Sequence, residues 1–175
     1  MIDDLTIRKT EAGDLAAIEA LYRDAFPEED LLPLVSELMQ TASIALSLAA
    51  TVGSSLVGHI VLSRCELVET KFRVALLGPL CVASTWRKMG IGGTLVRNGL
   101  QLMDEEGMVL ACVLGDPAYY GRFGFSPEKD VRPPYPLPDA WCAAWQSIKF
   151  GQSNATYIGQ LVPPEPWQRP AFWAP

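Results

Sequence analysis

Nine consecutive residues carry the clearest chemistry in this chain: Trp86-Arg87-Lys88-Met89-Gly90-Ile91-Gly92-Gly93-Thr94. They combine two cations with three glycines. Residues 74–82 before them are almost wholly apolar and read as a buried strand, and residues 95–103 after them carry apolar residues near helical spacing. A strand that ends in a Gly-rich basic turn and opens a helix makes an anion site. The first N–H groups of a helix lack intrahelical partners, and the dipole there favours negative charge. With no side chains at Gly90, Gly92 and Gly93, a phosphate can approach the backbone, so the expected ligand group is a pyrophosphate. The plainer alternative is a Gly-rich turn before a surface helix.

A Walker loop requires G-x-x-x-x-G-K-[ST], which the chain lacks. A dinucleotide fingerprint requires G-x-G-x-x-G/A. Gly90 and Gly92 supply its first two positions, but Leu95 takes the third, and Cys112-Val113-Leu114 stands where the ribose-binding acid belongs. The pattern [QR]-x-x-G-x-[GA] is satisfied by Arg87-Lys88-Met89-Gly90-Ile91-Gly92. A second stretch, Leu114-Gly115-Asp116-Pro117-Ala118-Tyr119-Tyr120-Gly121-Arg122-Phe123-Gly124-Phe125, reads as a strand end, a Pro-initiated short helix and a return through Gly-Phe. The first motif resembles motif A of the GNAT acyltransferase superfamily. The spacing Tyr120-x-x-x-Gly124-Phe125 resembles that superfamily's A-x-x-[FY]-Y-x-x-x-G-F motif. Gly78-Pro79-Leu80-Cys81-Val82, Val57-Gly58-His59-Ile60 and the residues from Gly115 to Phe125 are similar to the YhbS-like subgroup. The resemblance covers roughly residues 5–165.

It implies a GNAT fold of the α/β class, with a mixed central sheet, splayed fourth and fifth strands and flanking helices. It implies transfer of an acetyl group from acetyl-CoA, the co-substrate, to an amine by direct attack without a metal. Backbone N–H groups of Lys88, Met89, Gly90, Ile91, Gly92, Gly93 and Thr94 would hold the pyrophosphate, with Arg87 and Lys88 adding charge-assisted bonds. Backbone of Leu80, Cys81 and Val82 would pair with the pantetheine arm like an added strand, and an N–H near Cys81 would meet the thioester oxygen. Tyr120 matches the general acid for the leaving thiolate, with Tyr119 second and a core aromatic as the plain alternative. For the base, residues 74–82 hold no carboxylate. Glu66 is the best placed, followed by Glu69 and Asp116, although Asp116 more naturally caps the helix that begins at Pro117. His59, among apolar strand residues, reads as a satisfied core imidazole. Lys88 and Met89 replace small or polar residues of the subgroup's turn, and Met89 leaves fewer glycines to curve it.

The remaining elements must position these groups. Residues 6–8 read as a strand, with Thr10 offered as an N-cap. Helices are expected to about Arg23 and over 30–40, a hairpin over 44–52 and 56–62, a strand over 74–83 broken at Gly78-Pro79, a helix over 91–106 ended by Gly107, and a strand over 108–114. Gly99 inside that helix suggests close packing on the sheet. Ten of fourteen prolines and four of five tryptophans follow Ser126. Residues 132–138 read as extended wrapping chain, 140–148 as a helix capped by Asp139, 155–162 as a closing strand. One domain over 1–165 is expected, then a Pro/Trp-rich tail over 166–175.

Composition bounds the rest. The 175 residues are 49% apolar, enough for a core. No apolar run approaches a membrane span, and the acidic N-terminus does not resemble a secretory signal. Four scattered cysteines and one histidine give no zinc spacing, so a cytoplasmic protein with reduced thiols is expected. The net charge is −6, and ten acids against three bases fall within residues 1–40. Nucleic acid and membrane partners are therefore not expected, whereas a small cationic molecule or basic peptide is, as acyl acceptor. A solvated acidic helix face is the plain alternative, and a homodimer is left open. The rival functions are a non-catalytic acyl-CoA-binding regulatory module and a protein-interaction domain using the Trp167 and Trp173 tail.

Overall fold

The computed structural model describes residues 2–152 and 154–174. In chain order its elements are β1 (Leu5–Lys9), α1 (Leu15–Ala25), α2 (Leu32–Met39), β2 (Ala45–Val52), β3 (Ser55–Leu67), β4 (Arg73–Val82), α3 (Ile91–Glu105), β5 (Leu110–Leu114), α4 (Pro117–Tyr120), β6 (Ser126–Pro127), β7 (Val131–Arg132), β8 (Trp145–Lys149) and β9 (Gly159–Val162). This is an α/β chain with a mixed sheet. It divides into two compact units: residues up to Leu62 with Pro79–Gln101, and Ser63–Gly78 with the described residues from Leu102 onward.

In the first unit the strand order is β1-β2-β3-β4. β1 runs antiparallel to β2, from Leu5 opposite Val52 to Lys9 opposite Leu48. α1 buries Ile18, Leu21 and Tyr22, which helical spacing places on one stripe, and α2 buries Leu34, Val35 and Leu38. Ile18, Leu21, Tyr22, Val35 and Cys81 form one core cluster. The chain enters α1 through a capping box at Glu11 and Asp14 rather than the Thr10 cap expected from sequence. Asp14 accepts two hydrogen bonds from Arg8, at 2.7 and 2.8 Å, and one from the Glu11 N–H. These donors outbid the lone hydroxyl. α3 lies so close to β3 that a Cβ at Gly99 would stand 2.5 Å from Leu62 Cδ1.

The second unit has strand order β3-β4-β5-β8-β6, with β9 pairing β3 and β7 pairing β9. β4 and β5 are parallel from Val74 opposite Leu110 to Leu77 opposite Val113. The pairing stops at Leu77, and Gly78 and Pro79 follow. Gly78 has φ of 132°, open to glycine only, and Pro79 has no N–H to donate. β5 is antiparallel to β8, from Leu110 opposite Lys149 to Leu114 opposite Trp145.

β8 corrects one expectation. Residues 139–144 form only a 3-10 turn, and 145–149 are strand, not helix. The edge of β5 away from β4 is fully buried, and its backbone polar groups need partners. Trp145, Gln146 and Ser147, themselves buried, supply them. The closing strand is likewise shorter than expected, starting at Gly159. The tail packs on its own unit: Trp173 is buried beside Trp145, and its Nε1 donates to the Trp167 carbonyl at 3.0 Å. Trp167 Nε1 in turn donates to Ser63 Oγ at 3.0 Å. Cys65, Cys81 and Cys112 are buried free thiols, and Cys142 is an exposed one. No described helix is long and apolar enough to cross a membrane.

Candidate active site

The Gly-rich stretch sits between β4 and α3 in the first unit. A 3-10 turn over Ser84–Trp86 leads into it. Lys88 and Gly90 turn the chain with φ of 63° and 86°, and Met89 does not have a positive φ. The curvature therefore falls on the residues flanking Met89, and no glycine is needed there. Arg87, Lys88, Met89 and Gly90 are all exposed. The first intrahelical bond of α3 runs from the Thr94 N–H to the Gly90 carbonyl at 3.0 Å. The N–H groups of Ile91, Gly92 and Gly93 precede it at the helix's positive end. The Ile91 side chain is buried and anchors this end of the helix.

Two ties hold the loop to the end of α1. The Ser84 N–H and Oγ donate to the Asp24 carboxylate at 2.6 and 2.9 Å, keeping its pKa below the usual value. Arg87 donates to the Ala25 carbonyl at 3.1 Å, a cation at the negative end of a helix. Leu80, Cys81 and Val82 are the last residues of β4. Cys81 is buried, and burial pushes its thiol up to about 12, so it is not a thiolate nucleophile.

His59 on β3 is fully buried and has both ring nitrogens engaged. Tyr22 Oη lies 2.9 Å from Nδ1 and Ser47 Oγ 2.7 Å from Nε2. Burial pushes the imidazole down to about 4. The imidazole is satisfied, as the sequence suggested, but by partners that no local spacing reveals. Tyr22 also forms part of the wall of a cleft of about 760 Å³ with Glu19, Glu28, Glu29 and Asp30. Arg23 is the one cation in that lining, and its contact with Glu19 is a long, exposed 3.7 Å pair.

In the second unit Asp116 caps α4, its carboxylate accepting the Ala118 N–H at 2.9 Å. Tyr120 ends the helix half-buried among rings, with Tyr119 at 5.0 Å, Phe125 at 5.7 Å and Phe123 at 6.4 Å between centroids. A side chain on Gly115 would run into the Tyr120 ring. Burial raises the Tyr120 pKa above its ordinary value, with Tyr119 adding to it. The phenol therefore keeps its proton at neutral pH and is a donor, not a base. Tyr119 is covered by the Arg122 guanidinium, 4.4 Å from its centroid. Glu66 is exposed near the end of β3, opposite Val162 of β9, so it sits on a different strand edge from the β5–α4 corner that carries Tyr120. Glu69 is held by Arg132 at 2.7 Å and by the Gln160 N–H at 3.0 Å. No group of three or more His, Cys, Asp or Glu able to hold a metal occurs among the described residues.

Residues 6–127 match the family model described as "Acetyltransferase (GNAT) domain". This chain belongs to the GNAT acetyltransferase family. It is 31% identical over 159 residues to the Escherichia coli K12 protein named uncharacterized N-acetyltransferase YjhQ, covering 87% of each chain. To the uncharacterized N-acetyltransferase YhbS of the same strain it is 32% identical over 113 residues, 64% of this chain and 68% of YhbS. The crystal structure of Escherichia coli YhbS in complex with CoA superposes with a TM-score of 0.84 at 27% identity, covering 95% of this chain and 93% of that one. A Brucella melitensis GNAT acetyltransferase in complex with acetyl-CoA gives 0.76 at 27%, covering 93% and 97%.

Proposed function

We propose that residues 1–165 work as one acyltransferase domain, moving an acetyl group from acetyl-CoA to a primary amine of a cationic acceptor. The observation that carries this reading is the junction of β4 and α3. A strand leaves its parallel neighbour at Leu77, turns through Lys88 and Gly90, and opens a helix whose first N–H groups lie beside exposed cations. That junction suits a diphosphate bound at the backbone, with Lys88 to Thr94 as donors and Arg87 and Lys88 as counter-charges. The CoA and acetyl-CoA held by the two superposed relatives support the choice of ligand.

In this reading the end of β4, Leu80 to Val82, pairs with the extended arm of the co-substrate, and the Cys81 N–H meets the acyl oxygen. Tyr120 holds the proton for the departing sulfur, and its raised pKa keeps that proton in place until a thiolate forms. Glu66 stands as the carboxylate candidate for the base. The acceptor side is assigned to the cleft bearing Glu19, Glu28, Glu29 and Asp30, whose charge selects a cation and whose volume of about 760 Å³ exceeds that of a lone ammonium group.

Turnover of acetyl-CoA with spermidine and with an oligolysine peptide tests the acceptor class. Neutralising Glu28, Glu29 and Asp30 together should raise KM for both by about tenfold and leave kcat within a factor of two to three. An unchanged KM would remove the cleft from the reading.

A further inference from the structure

The Tyr22–His59–Ser47 contacts belong to a longer buried row. The Cys81 thiol lies beside the Tyr22 hydroxyl. α1, β2, β3 and β4 of the first unit each contribute one member. Tyr22, His59 and Cys81 are buried and Ser47 is half-buried, so the row runs from the wall of the acidic cleft, at Tyr22, to a partly exposed hydroxyl. Two proton arrangements satisfy it. In one, Tyr22 O–H donates to Nδ1 and Nε2–H donates to Ser47. In the other, Ser47 O–H donates to Nε2 and Nδ1–H donates to Tyr22. They differ only in the tautomer of a neutral imidazole. Holding α1 on the sheet would need one such bond, and apolar residues of the same shape would do it without burying polar atoms.

We propose that Tyr22, His59 and Ser47, in place of the Glu66 carboxylate, relay the proton lost by the acceptor amine, Tyr22 as the catalytic residue at the cleft and His59 and Ser47 as positioning residues behind it. This rests on the reading of the cleft as the acceptor site. As the amine nitrogen bonds the acyl carbon, its N–H bond breaks and the proton passes to Tyr22 Oη. The phenol's own proton moves to Nδ1, the Nε2 proton moves to Ser47 Oγ, and the serine's own proton leaves to water. His59 is neutral before and after. Once product has left and water refills the cleft, Ser47 takes up a proton from water and passes its own to Nε2, the Nδ1 proton returns to Tyr22, and Tyr22 releases one proton to the cleft water, which restores the first tautomer. The groups facing the His59 ring are Tyr22, Ser47 and, by charge, Asp14, which Arg8 holds, while the Cys81 thiol meets the His59 backbone. Burial outweighs Asp14 and disfavours imidazolium, so the row passes a proton without storing one.

His59 is the one histidine in the sequence, so 15N-histidine labelling gives a single imidazole. Its ring shifts are recorded at pH 7 in the wild type, Tyr22→Phe and Ser47→Ala, each checked for a native melting transition. Acetyl-CoA consumption is followed with spermidine from pH 6 to 10. The expected result is exchange-averaged shifts at both nitrogens in the wild type and one fixed tautomer in each variant. Tyr22→Phe should lose about 100-fold in kcat at pH 7 with acetyl-CoA affinity unchanged. It should recover towards wild type near pH 10, where hydroxide can accept the proton in place of the row. A single fixed tautomer in the wild type, or a Tyr22→Phe deficit independent of pH, overturns the relay. A wild type that binds acetyl-CoA but leaves spermidine unacetylated counts against the acceptor reading, and the tautomer spectrum then decides the relay alone.

Discussion

Two tyrosines, one in each unit, are held in opposite ways. Tyr22 is fixed through its hydroxyl, which bonds His59 beside the Cys81 thiol inside an otherwise apolar cluster. Tyr120 is fixed through its ring, by the edges of Tyr119, Phe123 and Phe125 and by the absence of a side chain on Gly115. Burial raises both pKa values, so both are neutral at pH 7. A phenol tied into a hydrogen-bonded row has somewhere to send its proton when it receives another. A phenol caged by rings keeps its proton until a strong base arrives. The same side chain thus suits proton removal in one unit and proton donation in the other, and the neighbours decide which.

Removing each hydroxyl in turn separates the two roles. Tyr120→Phe should lower kcat by about 10² to 10⁴ at every pH, with acetyl-CoA affinity intact, because alkali cannot supply a proton donor. That flat loss contrasts with the pH-rescued loss expected of Tyr22→Phe. If Tyr120→Phe recovers in alkali as well, the two residues do not differ in role. A Tyr120→Phe enzyme as active as wild type would favour a site in which water protonates the thiolate.

Stability against pH sharpens the Tyr22 side. Burial lowers the His59 pKa from 6.5 to about 4. Between those values the unfolded chain binds a proton that the folded chain refuses, so stability falls as pH drops from 6.5 to 4 and this contribution is flat below. The loss should be about 3 kcal/mol, read as the urea midpoint between pH 7 and 4, and should vanish in His59→Gln. Asp14 adds a second, lower window. Its folded pKa is held at about 2 against an ordinary 3.8, chiefly by Arg8, so its contribution is present above 3.8 and lost as pH falls towards 2.

Two smaller effects probe the supports. Gly115→Ala forces the Tyr120 ring aside and should cost about tenfold in kcat with little change in CoA affinity. An unchanged kcat would show that the ring's position is not critical. Arg8→Ala should destabilise by less than about 1 kcal/mol at neutral pH, since the guanidinium is 36% exposed, and the difference should disappear by pH 2.

Much of the loop was legible because its signals are local. The apolar run, the glycines and the helical spacing lie within thirty residues, and backbone sterics act on neighbours. The acidic wall of the cleft was legible for the same reason, as a charge run over Glu28, Glu29 and Asp30. Residues 145–149 were not, because the buried edge of β5, more than thirty residues earlier, decides their conformation. Asp139 looked like a helix cap and opens only a 3-10 turn. The polar row was the least legible: Tyr22 and Ser47 reach His59 across 37 and 12 residues, and no period links those positions.

If the N-terminal end of α3 binds the diphosphate of acetyl-CoA, calorimetric titration of the wild type and Gly92→Glu will separate the two proteins. A carboxylate in the first turn of a helix suits the dipole, so the variant should fold, yet it places negative charge where phosphate must sit. Micromolar binding to the wild type and at least a 100-fold loss in the variant are expected. Equal binding by both proteins, or none by the wild type up to millimolar acetyl-CoA, would contradict diphosphate binding at that end.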